Sequence, residues 1–344
     1  MTAADLAITV PEQLYAHHSG RGSTPMRSNP EVVHRDLDSL RVRPGMAALE
    51  IGTGSGYSGG MLAALVGAEG RVTSIDIDPY LTRWAQVIHY ELGVDTVRCL
   101  PGDGMAGHQQ SAPYDRIVAW CTPPCLPAAW VDQLAQDGLL VTPLPITALP
   151  HITVVATLGL EQGHPTVLAV REGGYMETSS APCDTDTPTR WVDWEYRSGT
   201  DTSWISVAWR KNDDPLHTGA RAALDLLLTA RHTGHHHIAP EDWTSWRTWA
   251  AATQDVNLTI ANTGTYDAIG HSTPASVAVL RQDGTILADS ADSASLAVLR
   301  EWLRGWEHAE CPAVDAYRAD LSKASTSEPR GWGLRLTWQP DNLG

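Results

Sequence analysis

The chain is expected to be an α/β protein: a doubly wound, mostly parallel sheet followed by a C-terminal mixed α/β domain. Three observations carry this. Between residues 47 and 143, short apolar runs alternate with segments of helical period, the pattern of parallel strands joined by crossover helices. A small, polar, proline-containing stretch at 177–190, ETSSAPCDTDTPTR, then breaks the period and reads as a linker. Phenylalanine is absent while tryptophan reaches 14, eleven of them beyond residue 190, so two cores are built from different residues. The expected domains are 1–180 and 190–344.

AALEIG at 47–52 reads as a buried strand ending in glycine. Residues 57–67 follow as a helix, with Met61, Leu62, Leu65 and Val66 at helical spacing. RVTSIDI at 71–77 is the second strand, and Leu81, Trp84, Ala85, Ile88 and Leu92 form one face of a helix over 79–92. Strands are expected at 94–100, 114–119 and 139–143, with a helix from 127 to 134. Residues 151–160 and 166–171 form a late hairpin. Beyond the linker, TSWISVAWR at 202–210 alternates like a strand, 217–231 reads as a helix, and Trp243, Trp246 and Trp249 mark another. A hairpin at 276–289, an amphipathic helix at 295–307 and a strand at 331–338 complete the pattern.

Of 344 residues, 40 are acidic and 24 basic, a net charge of -16, with only two lysines, Lys211 and Lys323. Neutralising phosphates requires a basic face, so no nucleic-acid partner is expected. A polybasic membrane patch is equally lacking, and no run approaches the roughly 20 apolar residues of a membrane span. The first residues, MTAADLAITVPEQLY, have no basic region, so no signal peptide is expected. Five scattered cysteines (Cys99, Cys121, Cys125, Cys183, Cys311) suit reduced thiols and a cytoplasmic location. His232 and His235–His237 lack a fixed cysteine or carboxylate partner, so no metal is expected. His17-His18 reads as a surface pair and Asp132, Asp213 and Asp214 as solvated charges. The tryptophan stripe reads as core, with a lesser reading as part of a peptide groove.

The sharpest motif is Leu49-Glu50-Ile51-Gly52-Thr53-Gly54-Ser55-Gly56-Tyr57, between a strand and a helix. Glycines there let the chain turn tightly and bring N–H groups to a ligand. Asp76 ends the next strand, 20 residues past Gly56, where a carboxylate accepts both hydroxyls of a ribose. Gly54-x-Gly56-x-x-Gly59 also satisfies the dinucleotide pattern. Three features favour S-adenosylmethionine over NAD. Glu50 is placed to face a methionine ammonium, the looser glycine alternation needs no pyrophosphate, and Asp103 in Gly102-Asp103-Gly104 is placed to meet an adenine amine. The plainer reading of Asp103 is a turn cap. Trp120 and Thr122 end a strand at the carboxyl edge of the sheet, where ligands bind in open α/β folds.

At these residues the chain resembles the protein-L-isoaspartate O-methyltransferase family. The similar segments are ALEIGTGSGYS, RVTSIDIDPYL, PGDG, PYDRIVAW and QLAQDGLLVTPLP, in order and spacing, over roughly 26–145. The resemblance implies a methyltransferase-type fold and S-adenosyl-L-methionine as cofactor. It implies cofactor contacts from Glu50, Gly52, Gly54, Gly56, Tyr57, Asp76, Ile77, Asp103 and Gly104. Ser28-Asn29-Pro30 looks like the family's substrate loop, which makes Ser28 the residue that positions the substrate carboxylate. Asn29, Trp120 and Thr122 are further substrate candidates.

Departures from the pattern narrow the function. The stretch before Ser28 is shorter and lacks the usual proline–arginine element. Trp120-Cys121-Thr122-Pro123-Pro124 stands where the repair enzymes have small residues. The tryptophan-rich tail, with AVLREWLRGWEHAECP, is similar to that of an actinobacterial subgroup encoded with lanthipeptide, graspetide and lasso-peptide precursors. That likeness implies methylation of an aspartate side chain in a ribosomally synthesised modified peptide, with closure to an aspartimide. The alternatives are isoaspartate repair with an extra domain, a peptide-binding module without turnover, and an NAD oxidoreductase, which lacks a hydride-side acid or base. A carboxylate is ionised at neutral pH, so methyl transfer to it needs alignment and desolvation rather than a general base.

Overall fold

The five residues of β1 (Ala47–Ile51) are buried without exception, the mark of a strand covered on both faces. The computed structural model describes residues 15, 18–19, 22–23, 29–179, 192–199, 201–210, 214, 216–264, 266–324 and 330–339. The chain forms two compact units. The first holds residues 1–144, 155–185 and 320–334, and the second 145–154, 186–319 and 335–344. The expected limits at 180 and 190 therefore shift at two places. The bend at 145–154 belongs to the second unit, and the late segment 320–334 belongs to the first.

In the first unit β1 pairs in parallel with β2 (Arg71–Asp76) and with β4 (Tyr114–Ala119). β2 continues in parallel to β3 (Val97–Pro101), and β4 to β5 (Leu134–Pro145). With β6 (Thr153–Glu161) and β7 (His164–Glu172) the seven-stranded order is β7-β6-β5-β4-β1-β2-β3. Gln162 and Gly163, both at positive φ, make the expected hairpin between β6 and β7. β5 starts five residues earlier than expected, directly after the short helix α4 (Ala128–Gln133). Helix α1 (Pro30–Leu40) starts at an Asn29 cap that accepts the Glu31 N–H, with Pro30 in its first turn. Helices α2 (Tyr57–Val66) and α3 (Pro79–Glu91) follow β1 and β2, and the Asp78 side chain caps α3. A single core packs Leu37 and Leu40 of α1, Met61 and Leu62 of α2 and Ile88 of α3 against Ala48, Val72, Val118 and Val141 of the sheet.

The second unit is a seven-stranded antiparallel sheet. Its strands are β8 (Trp194–Ser198), β9 (Asp201–Val207), β10 (His232–His235), β11 (Leu258–Thr263), β12 (Asp267–Thr273), β13 (Ser276–Arg281) and β14 (Thr285–Ala288), ordered β8-β9-β11-β12-β13-β14-β10. Alternation sends Ala268, Val277 and Val279 to the face covered by α5 (Thr218–Leu228), where Ala223, Leu224 and Leu227 meet them. On the other face His271 bonds Ser295 and packs edge-on to Trp302 of α7 (Ala294–His308). Helix α6 (Trp243–Ala252) sets Trp246, 0% exposed, edge-on to Trp306, so the tryptophan stripe is core as expected. His236 stacks on Trp243 and bonds the Arg281 carbonyl, a structural use of the histidine cluster. Within the first unit, which holds residues 320–334, the late strands β15 (Arg318–Lys323) and β16 (Gly331–Thr337) form a small sheet with the two-residue strand Leu126–Pro127.

Among the described residues, no helix is long and apolar enough to cross a membrane, and no group of three or more His, Cys, Asp or Glu is placed to hold a metal ion. Most of the linker stretch and Cys183 lie outside the described residues.

Asp36 of α1 has 0% exposure and is paired with Arg171. It accepts from Arg171 Nη2 of β7 at 2.5 Å and from the Tyr175 hydroxyl at 2.6 Å, with Arg35 Nε at 3.2 Å. A buried ion is tolerated only when its lone pairs are filled, and removing one partner strands the other. Asp36→Ala should therefore lower unfolding free energy by about 3 kcal/mol in urea titrations. A loss under about 0.5 kcal/mol would show that the charge cluster does not hold α1 in place.

Candidate active site

The carboxyl ends of β1, β2 and β4 lie side by side, and the first of them ends in the glycine turn. Gly52, Gly54 and Gly56 take φ of 94°, 51° and 88°, the left-handed region that favours glycine. Two of them also meet neighbours at close range. A Cβ on Gly52 would lie 3.3 Å from Trp120 Cβ, and one on Gly56 would lie 2.8 Å from Ala85 Cβ. The turn is thus glycine-dependent both for its dihedrals and for its packing. Asp76, half-buried at the end of β2, binds it: Oδ2 accepts the Gly54 N–H at 3.0 Å and Oδ1 the Asp78 N–H at 3.0 Å. Burial raises the Asp76 carboxyl above its ordinary range. Ile77 follows it, also half-buried.

Glu50 has 0% exposure. Its Oε1 accepts from Ser58 Oγ at 2.5 Å and from the Trp120 indole N–H at 2.9 Å, and its Oε2 accepts from Ser74 Oγ at 2.6 Å. Ser74 is its direct register partner on β2, so the two side chains share a face. Ser74 also bonds Thr53 of the turn at 2.7 Å. Glu50, expected to face a ligand ammonium, is engaged by three protein donors and joins β1, β2, α2 and the residue after β4. Burial pushes its carboxyl from 4.5 up to about 7, opposed by the three hydrogen bonds.

Trp120 is likewise not presented outward. It is 8% exposed, with its N–H on Glu50 and its ring edge-on to Tyr175 at 5.5 Å. Thr122 donates its hydroxyl to the Tyr175 carbonyl at 2.7 Å, and its backbone N–H goes to the Met176 carbonyl. Both residues, expected on the substrate side, contact segment 175–178 beside the site. Asp103 is exposed and caps a short turn by accepting the Met105 N–H at 2.9 Å, the plainer of its two expected uses. The Gly104 carbonyl accepts the Trp130 indole N–H at 2.8 Å. Cys121 sits close enough to Asp76 and Asp103 to feel both charges, though burial does most to push its thiol up to about 12. Asn29 is exposed and spends its Oδ1 on the α1 cap. Ser28 lies outside the described residues.

Sequence reasoning missed a second layer. Tyr57, just after the turn, is bonded through its hydroxyl to His34 Nε2 of α1 at 2.7 Å. Tyr15, 1% exposed, packs edge-on to Tyr57 and lies 3.4 Å from His89 Nδ1. Burial lowers His89 to about 4, so the ring is neutral at pH 7. Asp36 reaches the turn through Tyr175, Trp120 and Glu50. A signal for part of this was present: Ser74 stands two residues before Asp76, and Ser58 two residues after Gly56.

An acid whose pKa rises on folding binds more protons folded than unfolded, so stability falls as pH climbs from about 4.5 to about 7. Glu50→Gln should flatten that part of the stability–pH curve in urea titrations at half-unit pH steps. Identical slopes for variant and wild type would remove Glu50 from the titration.

A family profile described as "Protein-L-isoaspartate(D-aspartate) O-methyltransferase (PCMT)" matches residues 13–157. The Protein-L-isoaspartate O-methyltransferase of Gloeobacter violaceus is 36% identical over 161 residues, 47% of this chain and 71% of that protein. Protein-L-isoaspartate O-methyltransferase 2 of Archaeoglobus fulgidus is 38% identical over 117 residues, 34% of this chain and 53% of that protein. A solved structure titled protein-L-isoaspartate O-methyltransferase has a TM-score of 0.44 at 14% identity, covering 94% of this chain and 84% of its own. With the parallel sheet, the glycine turn and the acid after β2 already in place, the sequence match shows that this chain belongs to the protein-L-isoaspartate O-methyltransferase family of S-adenosyl-L-methionine-dependent enzymes.

Proposed function

We propose that the chain methylates the side-chain carboxylate of an aspartate in a ribosomally synthesised modified peptide, and that the ester closes to an aspartimide. The observation that carries methyl transfer is the Gly52–Gly56 turn bound to Asp76 at the mouth of the parallel sheet. That turn fits the donor: backbone approaches closely where no Cβ intervenes, and Asp76 retains lone pairs on both oxygens for ribose hydroxyls. Gly52, Gly54, Gly56, Tyr57, Asp76 and Ile77 would line the donor, with Asp103 and Gly104 at its adenine end. Bound there, the donor supplies a methyl group already activated by a sulfonium.

The protein's part is alignment. Ser28 would donate a hydrogen bond that orients the peptide carboxylate without removing a proton. The carboxylate oxygen attacks the methyl carbon in line as the carbon–sulfur bond breaks, and no proton moves in that step. The ester carbonyl is then open to the backbone nitrogen of the next residue. That nitrogen closes the five-membered ring, its proton leaving with methoxide as methanol. Support for a modified-peptide substrate comes from the residues beyond the family match, including every strand of the antiparallel sheet, and from Trp120 in place of a small residue. The repair of isoaspartyl residues is the second reading, favoured by the names of the curated relatives.

Mass spectrometry of peptide incubated with donor separates the two. An aspartyl precursor peptide should gain about 14 Da, a methyl in place of a hydrogen, and then lose methanol, while an isoaspartyl heptapeptide reacts slowly. The reverse preference establishes repair, and neither reaction with donor bound leaves a binding module. Asp76→Ala should weaken donor binding about tenfold or more in calorimetry, through lost charged hydrogen bonds. Ser28→Ala should lower kcat with donor affinity unchanged. Unaltered donor affinity in Asp76→Ala would remove that carboxylate from the donor site.

A further inference from the structure

The loop that follows β4, Cys121–Pro127, leaves the carboxyl edge of the sheet beside the glycine turn. It is held by a strand from far along the chain. Gly331 pairs with Pro127 and Trp332 with Leu126 in antiparallel register, and the Ala128 N–H donates to the Arg330 carbonyl at 2.9 Å. Close approach is obligatory here, because a Cβ on Gly331 would collide with the Leu126 carbonyl oxygen and sit 2.8 Å from Cys125 Sγ. The fit is tight below as well: Leu126 is 0%, Cys125 4% and Leu334 7% exposed. Trp332 stays half-buried and Arg330 exposed. Residues 330–334 belong to the first unit although they lie more than 170 residues past the end of the family match at residue 157.

The other end of the same loop is held separately, by Thr122 on segment 175–178. A loop at this edge of an open α/β sheet borders the ligand site. Here its two ends are tied to two segments that the matched family region does not include. The donor turn, by contrast, is held from within that region, by Asp76, Ser74 and Glu50. The pairing at Gly331 and Trp332 is distinct from the bonds of Asp76, Ser74 and Glu50, so the peptide side can be tuned there without altering those bonds.

We propose that strand Arg330–Leu334 is a specificity-determining clamp: it sets the position of loop 121–128 on the peptide side of the site, with Gly331 and Trp332 as positioning residues. This rests on the methyltransferase reading above. Kinetics of Gly331→Ala and Trp332→Ala against an aspartyl precursor peptide and an isoaspartyl heptapeptide test it, alongside donor calorimetry. The expected result is a KM about tenfold higher for the better peptide, kcat within about threefold and donor affinity unchanged, the pattern of lost ground-state binding. An unchanged KM in Trp332→Ala, or donor affinity falling in parallel with KM, overturns the proposal. Hydrogen exchange separates failure of the clamp from failure of the reaction. The Leu126 and Ala128 amides should lose protection in Gly331→Ala, and unaltered exchange overturns the clamp even where wild type methylates neither peptide.

Discussion

A carboxylate with 0% exposure, Glu50, is the constraint around which the site is organised. An ion removed from water must be met by donors, and this one is met by a helix serine, a strand serine and an indole N–H. Each donor comes from a different element, so satisfying the charge brings α2, β2 and the end of β4 into one arrangement around the end of β1. The glycine turn starts two residues after Glu50 and inherits that geometry. Its backbone is then trimmed by contact: Gly52 against Trp120 and Gly56 against Ala85 leave no room for a side chain.

A second buried carboxylate, Asp36, extends the arrangement to helix α1. Its partners Arg171 and Tyr175 lie beyond residue 157, after the segment that matches the family. Tyr175 packs against Trp120, which donates to Glu50, so two charged centres are joined through one aromatic pair. Helix α1 begins at Pro30, immediately after Ser28 and Asn29. The network therefore fixes helix α1 relative to the glycine turn. The proposed methyl transfer, which rests on alignment rather than proton transfer, would draw on that scaffold.

The second unit solves a different problem. A seven-stranded antiparallel sheet covered on both faces needs large apolar side chains, and without phenylalanine it uses tryptophan. Trp246, Trp302 and Trp306 fill the face under α6 and α7, while smaller alanine, valine and leucine fill the face under α5. Its strands were hard to read because several carry buried polar groups. β12 contains His271 and Ser272, paired with Ser295 and Thr259, so the hydrophobic alternation is broken where hydrogen bonds replace it. β8 shows four exposed residues of five, and an edge strand of that kind leaves no apolar signature.

The parallel strands, the crossover helices and the glycine turn with its following acid were legible in the sequence alone, because each is dictated locally: by period, by caps and by the φ values that glycine allows. Which side chains face one another was decided only by tertiary structure. Glu50, Trp120 and Thr122 sit where a ligand contact would be expected, yet Glu50 accepts from Ser58, Ser74 and Trp120, and Thr122 bonds the 175–178 segment. The same holds for Asp36, which reads as a surface acid until Arg171 is brought to it, and for Gly331, whose missing side chain matters only against Leu126. Burial and pairing across more than a hundred residues depend on packing, and no local pattern encodes them.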